Sequence, residues 1–225
     1  MYELLLHAGV PERRYGRVKQ TLMAITGMVG VEYAEHVLVF QKHGEATAPA
    51  PAPGTLKRQR QGDVMKANVL MRLVAEVDHG PDPSRPAHEA KAAQRWSTYL
   101  IDTPEPGDDR QVTQRTSFTT PLPGMDQEQA QKHLEAQGYT YSYDYVMKSE
   151  RYTYRYIQIS LQRFYKHGEE EPLSNDCLMA ALIRVEDSAN GMREATEMLK
   201  QLRADLRGVC DLEVVARDWL DVRVR

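Results

Sequence analysis

Cysteine is scarce in this 225-residue chain, long apolar runs are missing, and neither sign of charge dominates. Each absence removes a class of protein. The two cysteines, Cys177 and Cys210, fall inside strand-like runs and read as buried, reduced small hydrophobes, which similar chain ends could bring onto adjacent strands. No apolar run approaches the ~18 residues of a membrane-crossing helix. The opening MYELLLHAGVPERR lacks the basic stretch that precedes the apolar core of a secretion signal, so an intracellular, soluble chain is expected. With 29 Lys and Arg against 32 Asp and Glu, the net charge of −3 leaves no basic excess for a dedicated nucleic-acid or anionic-membrane binder. Also missing are GxSxG, the phosphate-cradling GxxxxGKS or GxxxxGKT, and a GxGxxG that opens a helix after a strand.

What is present is a similarity between the two ends. Tyr2 to Ala8 reads as strand, Pro11 to Thr26 as helix and Val31 to Gln41 as strand. Cys177 to Val185, Asn190 to Arg207 and Val209 to Ala216 repeat that order. Tyr15, Val18, Leu22 and Ile25 match Met192, Ala195, Leu199 and Leu202 at i, i+3, i+7 and i+10, one stripe on a 3.6-residue helix. Each helix stops at a glycine, Gly27 or Gly208, where a left-handed residue is easiest. A pseudo-twofold βαβ repeat framing one sheet system implies a single barrel-like domain over residues 1–225. About nine to eleven strands and three helices are expected, in a β-dominated α+β fold.

Two stretches interrupt the pattern. Residues 44–62, with alternating Ala and Pro, form an extended, disordered insertion that no sheet can accept, and residues 78–93 form a polar loop. Within the insertion, Lys57-Arg58-Gln59-Arg60 is a solvated charge run or a nuclear import signal. Val64 to Val77, Trp96 to Ile101 and the alternating run from Val112 to Phe118 read as strands, and Asp126 to Gln137 as a short helix stopped by Gly138. Tyr139, Tyr141, Tyr143, Tyr145, Tyr152, Tyr154 and Tyr156 crowd a long hairpin. A turn centred on Ser149-Glu150 would put all seven rings on one face, with Tyr145 opposite Tyr154, Tyr143 opposite Tyr156 and Asp144 opposite Arg155. That face is a barrel wall or an aromatic docking surface.

Side chains for chemistry are few. His43, His79, His88 and His167 fall in loops, while His7 and His36 lie on strands and could be neighbours. No Cys or carboxylate stands at ligand spacing, so neither metal nor cofactor is expected. Tunnel-type triphosphatases hold a metal with alternating strand carboxylates and the polyphosphate with Lys and Arg. Here the strand carboxylates are only Glu3, Glu76 with Asp78, and Asp211 with Glu213, and a Glu-x-Glu-x-Lys run is absent.

Four segments in order resemble fungal Mediator head-module subunit 18. They are YELLLHAGVP with a helix and HVLVF; RWSTYLIDTPEPGDDRQVTQRTSFTT, with Trp96, Asp102, Pro104 and Glu105 at its core; YVMKSERYTYRYIQISLQRFY; and RVEDSANGMREATEMLKQLRADLRGVCDLEVVARDWLDVRV. The resemblance implies a barrel related to the triphosphatase tunnel without its catalytic carboxylates. It implies a nuclear, non-catalytic scaffold that forms a heterodimer with Mediator subunit 20 and captures a C-terminal helix of Mediator subunit 8 in support of RNA polymerase II transcription. The alternative is a metal-dependent tunnel triphosphatase acting on polyphosphate or RNA 5′ ends. For partner binding, the residues themselves favour Trp219 and Leu220, with Tyr143 and Tyr154 as the other candidate surface.

Overall fold

The computed structural model describes residues 1–42, 69–77, 95–102, 104–105, 110–186 and 188–215. Its eight antiparallel strands are β1 (Tyr2–Val10), β2 (Val31–Lys42), β3 (Val69–Val77), β4 (Trp96–Ile101), β5 (Thr113–Leu122), β6 (Thr140–Tyr154), β7 (Ile157–Tyr165) and β8 (Cys177–Val185). They close into a barrel in the order β1-β5-β4-β3-β2-β6-β7-β8. Among the described residues, three helices pack outside: α1 (Glu12–Thr26), α2 (Gln127–Ala136) and α3 (Ala189–Asp205). Closure leaves none of these strands with an open edge.

Local chemistry sets the helix ends. Pro11 fixes the entry to α1, and Gly27, at φ 68°, turns its last carbonyls back with an N–H to the Met23 carbonyl. Asp126 and Gln129 cap α2 reciprocally, each side chain accepting from the other's backbone N–H. The Ser188 hydroxyl accepts from the Gly191 N–H to start α3. A Cβ on Gly191 would come within 2.7 Å of that hydroxyl, so the close approach requires glycine.

The expected pairing of the two ends is found: β1 and β8 pair over nine residues, from Tyr2 opposite Val185 to Val10 opposite Cys177. The matched helix stripes share one core. Val18 and Leu22 of α1 and Ala195, Leu199 and Leu202 of α3 all belong to the cluster that holds Leu4, Leu6, Met179 and Ile183. Of the strand expected at 209–216, the described residues 209–215 make one bridge, Glu213 with His7, beyond the point where β5 leaves β1. A smaller cluster under α2 joins Leu38, Phe40, Leu73, Trp96, Leu122 and Leu134. Cys177 and Cys210 are buried free thiols in the larger core, and burial pushes both up to about 11.

The tyrosine hairpin is corrected. Its turn is Arg155-Tyr156, with Tyr154 opposite Ile157, not Ser149-Glu150. Ser149 and Glu150 lie mid-strand in β6, opposite Gln162 and Leu161. β6 pairs with β2 from Thr140 to Arg151, and one extra residue there, Ser142, bulges where Val39 faces Tyr143 and Phe40 faces Tyr141. Because side chains alternate along a strand, this single residue swaps faces. Tyr141 packs on the outward Phe40 ring, whereas Tyr143 and Tyr145 stack on the interior side, with Tyr145 against Phe164. Tyr152 is buried beneath α1, and Tyr156 is 81% exposed at the turn. The seven rings therefore share no face. Residues 44–62 and 78–93 lie outside the described residues.

Candidate functional site

The interior comes first, because a tunnel fold places its chemistry there. Register fixes which residues face inward: Glu3 stands opposite Arg184 of β8 and Arg115 of β5. Glu3 has no solvent exposure. Its carboxylate accepts from the Tyr99 hydroxyl, from Arg115 Nε at 3.0 Å and from Arg184 Nε at 3.1 Å. Burial alone would raise the Glu3 carboxyl, but the Tyr99 hydrogen bond and the two guanidinium charges outweigh it and hold it below the ordinary value. A second inward pair joins Arg151 to Glu35 at 2.6 Å. His7, on the same side of β1, is lowered to about 4 by burial and by the charge of Arg115, and its Nδ1 lacks a partner. The buried Glu3 and the half-buried Glu35 are thus already engaged by arginine. A divalent metal would have to displace a guanidinium to reach either.

Of the other carboxylates among the described residues that sequence singled out, Glu76 stands beside one of these two, Glu35, and Asp211 and Glu213 stand apart. Glu76 is exposed on β3, opposite Glu35, and Asp211 and Glu213 are exposed on the segment that bridges to β1. Asp78 lies outside the described residues. His7 and His36 are not neighbours, because β1 and β2 stand on opposite sides of the ring of strands.

His36 meets other groups that sequence spacing concealed. Its Nε2 lies 2.7 Å from Asp144 Oδ2 and 2.9 Å from His167 Nδ1, and His167 Nδ1 lies 3.4 Å from the same carboxylate oxygen. These residues come from β2, β6 and the β7–β8 connection, on the outer wall beside Trp96. The Tyr141 hydroxyl donates to Asp144 Oδ1 at 3.0 Å. Burial works to raise the Asp144 carboxyl, but the hydrogen bonds from His36 and Tyr141 win and lower it. Sequence carried one usable signal: once β2 and β6 are paired, Leu38 opposes Asp144 and His36 opposes Val146, which puts His36 and Asp144 diagonal on one face.

Of the expected partner-binding residues, Tyr143 is 51% exposed and stacks on Tyr145, whereas Tyr154 is half-buried against the α1–α3 core with the Arg155 guanidinium over its ring. They do not form one surface. Trp219 and Leu220 lie outside the described residues. In the turn after β4, the Asp102 carboxylate accepts from the Thr116 hydroxyl, which ties the end of β4 to β5, and Glu105 pairs with Arg110 at 2.7 Å.

Against known proteins, the model of the Med18 protein family matches residues 2–223. The chain belongs to that family. A curated relative, Mediator of RNA polymerase II transcription subunit 18 from Yarrowia lipolytica (strain CLIB 122 / E 150), is 21% identical over 238 residues, covering 100% of both chains. A chain in the structure of the Schizosaccharomyces pombe Mediator head module superposes with TM-score 0.71 at 19% identity, covering 96% of this chain and 99% of that one. PH1819 protein from Pyrococcus horikoshii OT3 gives TM-score 0.57 at 15% identity, covering 95% and 94%. At these identities the two structures establish the shared closed-barrel fold.

Proposed function

We propose that this chain is a non-catalytic scaffold subunit of a Mediator head module, acting in the nucleus in support of transcription by RNA polymerase II. The family match over residues 2–223 carries the reading. The arginine-bound Glu3 and Glu35 support its non-catalytic half, since metal-assisted phosphoryl chemistry needs carboxylates free to hold a divalent ion. In this role the barrel forms a heterodimer with Mediator subunit 20 and captures the C-terminal helix of Mediator subunit 8, with Trp219 and Leu220 at the helix-binding surface. A partner helix needs an apolar anchor that it alone covers, which is the property expected of Trp219.

Co-expression of the full chain with subunit 20 and the subunit 8 helix tests this directly. A stable 1:1:1 complex is expected, and Trp219→Ala should weaken helix binding by about 2 kcal/mol with the fold unchanged. No complex under any salt condition would defeat the scaffold reading. Metal-dependent release of phosphate from a nucleoside triphosphate, abolished by Glu3→Gln, would instead establish the tunnel-type triphosphatase.

A further inference from the structure

We infer that His36, Asp144 and His167 form a binding site for a divalent transition-metal ion, with Zn²⁺ the best-suited species. Two imidazole nitrogens and one carboxylate oxygen are the donor set of a three-ligand zinc centre with an open fourth position. Among the described residues, this is the one group of three or more His, Cys, Asp or Glu side chains whose donor atoms converge.

Geometry carries the argument. The three donor atoms form a triangle with sides of 2.7, 2.9 and 3.4 Å. A triangle of that size has a circumradius of about 1.8 Å, shorter than the ~2.0–2.1 Å of ordinary Zn–N and Zn–O bonds. An ion can therefore stand at bonding distance from all three atoms at once, about 1 Å off their plane. The three residues are far apart in sequence and come from neighbouring parts of the barrel: β2, β6 and the connection after β7. The β2–β6 ladder sets His36 diagonal to Asp144, and the β6–β7 ladder, whose register puts Val146 opposite Tyr165, leads His167 to the same place.

The surroundings favour a metal over a hard cation or a bare ion pair. Tyr141 holds Asp144 Oδ1 and leaves Oδ2 directed at the histidines, the outer contact that commonly orients a ligating carboxylate. Trp96 stands edge-on to the His36 ring, and the His36 side chain is only 6% exposed. His167 is 58% exposed, so solvent reaches the fourth position. Two imidazoles select against Mg²⁺ and Ca²⁺, which take oxygen ligands. Binding moves protons in a defined way. Any hydrogen shared along the 2.7 and 2.9 Å contacts must leave, His36 and His167 donating lone pairs from Nε2 and Nδ1 while the displaced protons go to solvent. The bound ion would pin the β7–β8 connection to the outer wall, a structural clamp at a distance from the interior.

The test uses the full chain without a histidine tag, stripped with chelator and titrated with Zn²⁺ by calorimetry and with Co²⁺ by visible absorption. One equivalent should bind, Co²⁺ should give the intense ligand-field bands of a four-coordinate site, and saturating Zn²⁺ should raise Tm. His167→Ala, on an exposed connection where folding is not at stake, should weaken Zn²⁺ at least tenfold and abolish both the bands and the Tm rise. His133→Ala, on α2, should change none of these. Absence of saturable binding overturns the inference, as does binding that survives both His167→Ala and Asp144→Asn.

Discussion

Under α1 and α3 the barrel wall is built from Leu4, Leu6, Met179, Ala181 and Ile183, while the alternate residues of the same two strands include Glu3 and Arg184 inside the barrel. The two faces of β1 and β8 thus separate apolar packing from charge neutralisation across one layer of backbone. The helix-covered side gains from area removed from water. The inner side gains little net free energy from its ion pairs, because desolvation offsets most of the attraction, yet it becomes costly to damage. The difference teaches where each kind of mutation should hurt.

The sharpest way to break the comparison is Glu3→Ala. It strands the largely enclosed Arg115, takes a partner from the half-exposed Arg184 and should cost about 4 kcal/mol by urea denaturation. If the loss is under about 1 kcal/mol, the interior is wetter than its contacts imply. Leu199→Ala, on the fully buried face of α3, should cost slightly less, about 3 kcal/mol, through lost transfer energy and the cavity left behind. A loss that exceeds the Glu3 effect would reverse the ranking of the two faces.

Acid sharpens the same contrast. His7 is lowered from 6.5 to about 4 by burial and then by Arg115, so it stays neutral in the fold while the unfolded chain takes up a proton. Stability is highest above pH 6.5 and falls as pH drops from there toward 4, by about 2 kcal/mol between pH 7.5 and pH 5. His7→Gln should flatten that part of the pH–stability curve, and an unchanged slope would assign the acid sensitivity to other groups. The smallest expected effect lies at the β6–β7 turn, away from both faces. Arg155 adopts φ 55°, a left-handed conformation that costs a residue with a Cβ, so Arg155→Gly should stabilise by about 0.5 kcal/mol. A Tm that falls instead would show that the guanidinium over Tyr154 matters more than the backbone.

Where periodicity and punctuation agreed, elements were readable from residues alone. Trp96 to Ile101 and Cys177 to Val185 coincide with β4 and β8, and Gly27 does cap α1 in the left-handed region. The long hairpin was not readable. Its turn uses Arg155, a residue that no turn preference marks, and Glu150, which looks like a turn residue, is a mid-strand carboxylate held by Tyr15, Lys19 and Tyr152. The Ser142 bulge is equally silent, because an alternating Tyr run looks the same with or without one extra residue. The interior was half legible. Glu3 stood out as a strand carboxylate, but the guanidiniums that consume it come from positions 115 and 184, and only strand order brings them near. The His36, Asp144 and His167 cluster was hidden for the same reason.

The position of β1 in the ring has a consequence for how the chain is made. Its neighbours are β5 and β8, the first offering only four paired residues and the second a full nine. Of the eight strands β1 is made before the others, and its second half, Leu6 to Val10, must therefore wait for a partner strand until the segment around 177–185 has been synthesised. Growth from β2 through β7 can proceed meanwhile, since β2–β3, β3–β4, β4–β5 and β6–β7 join strands consecutive in sequence. Barrel closure is then a late, high-contact-order event, and nascent chains are at their most aggregation-prone just before it. A helper that shelters the first ten residues during synthesis would raise the yield of folded protein without touching the finished molecule.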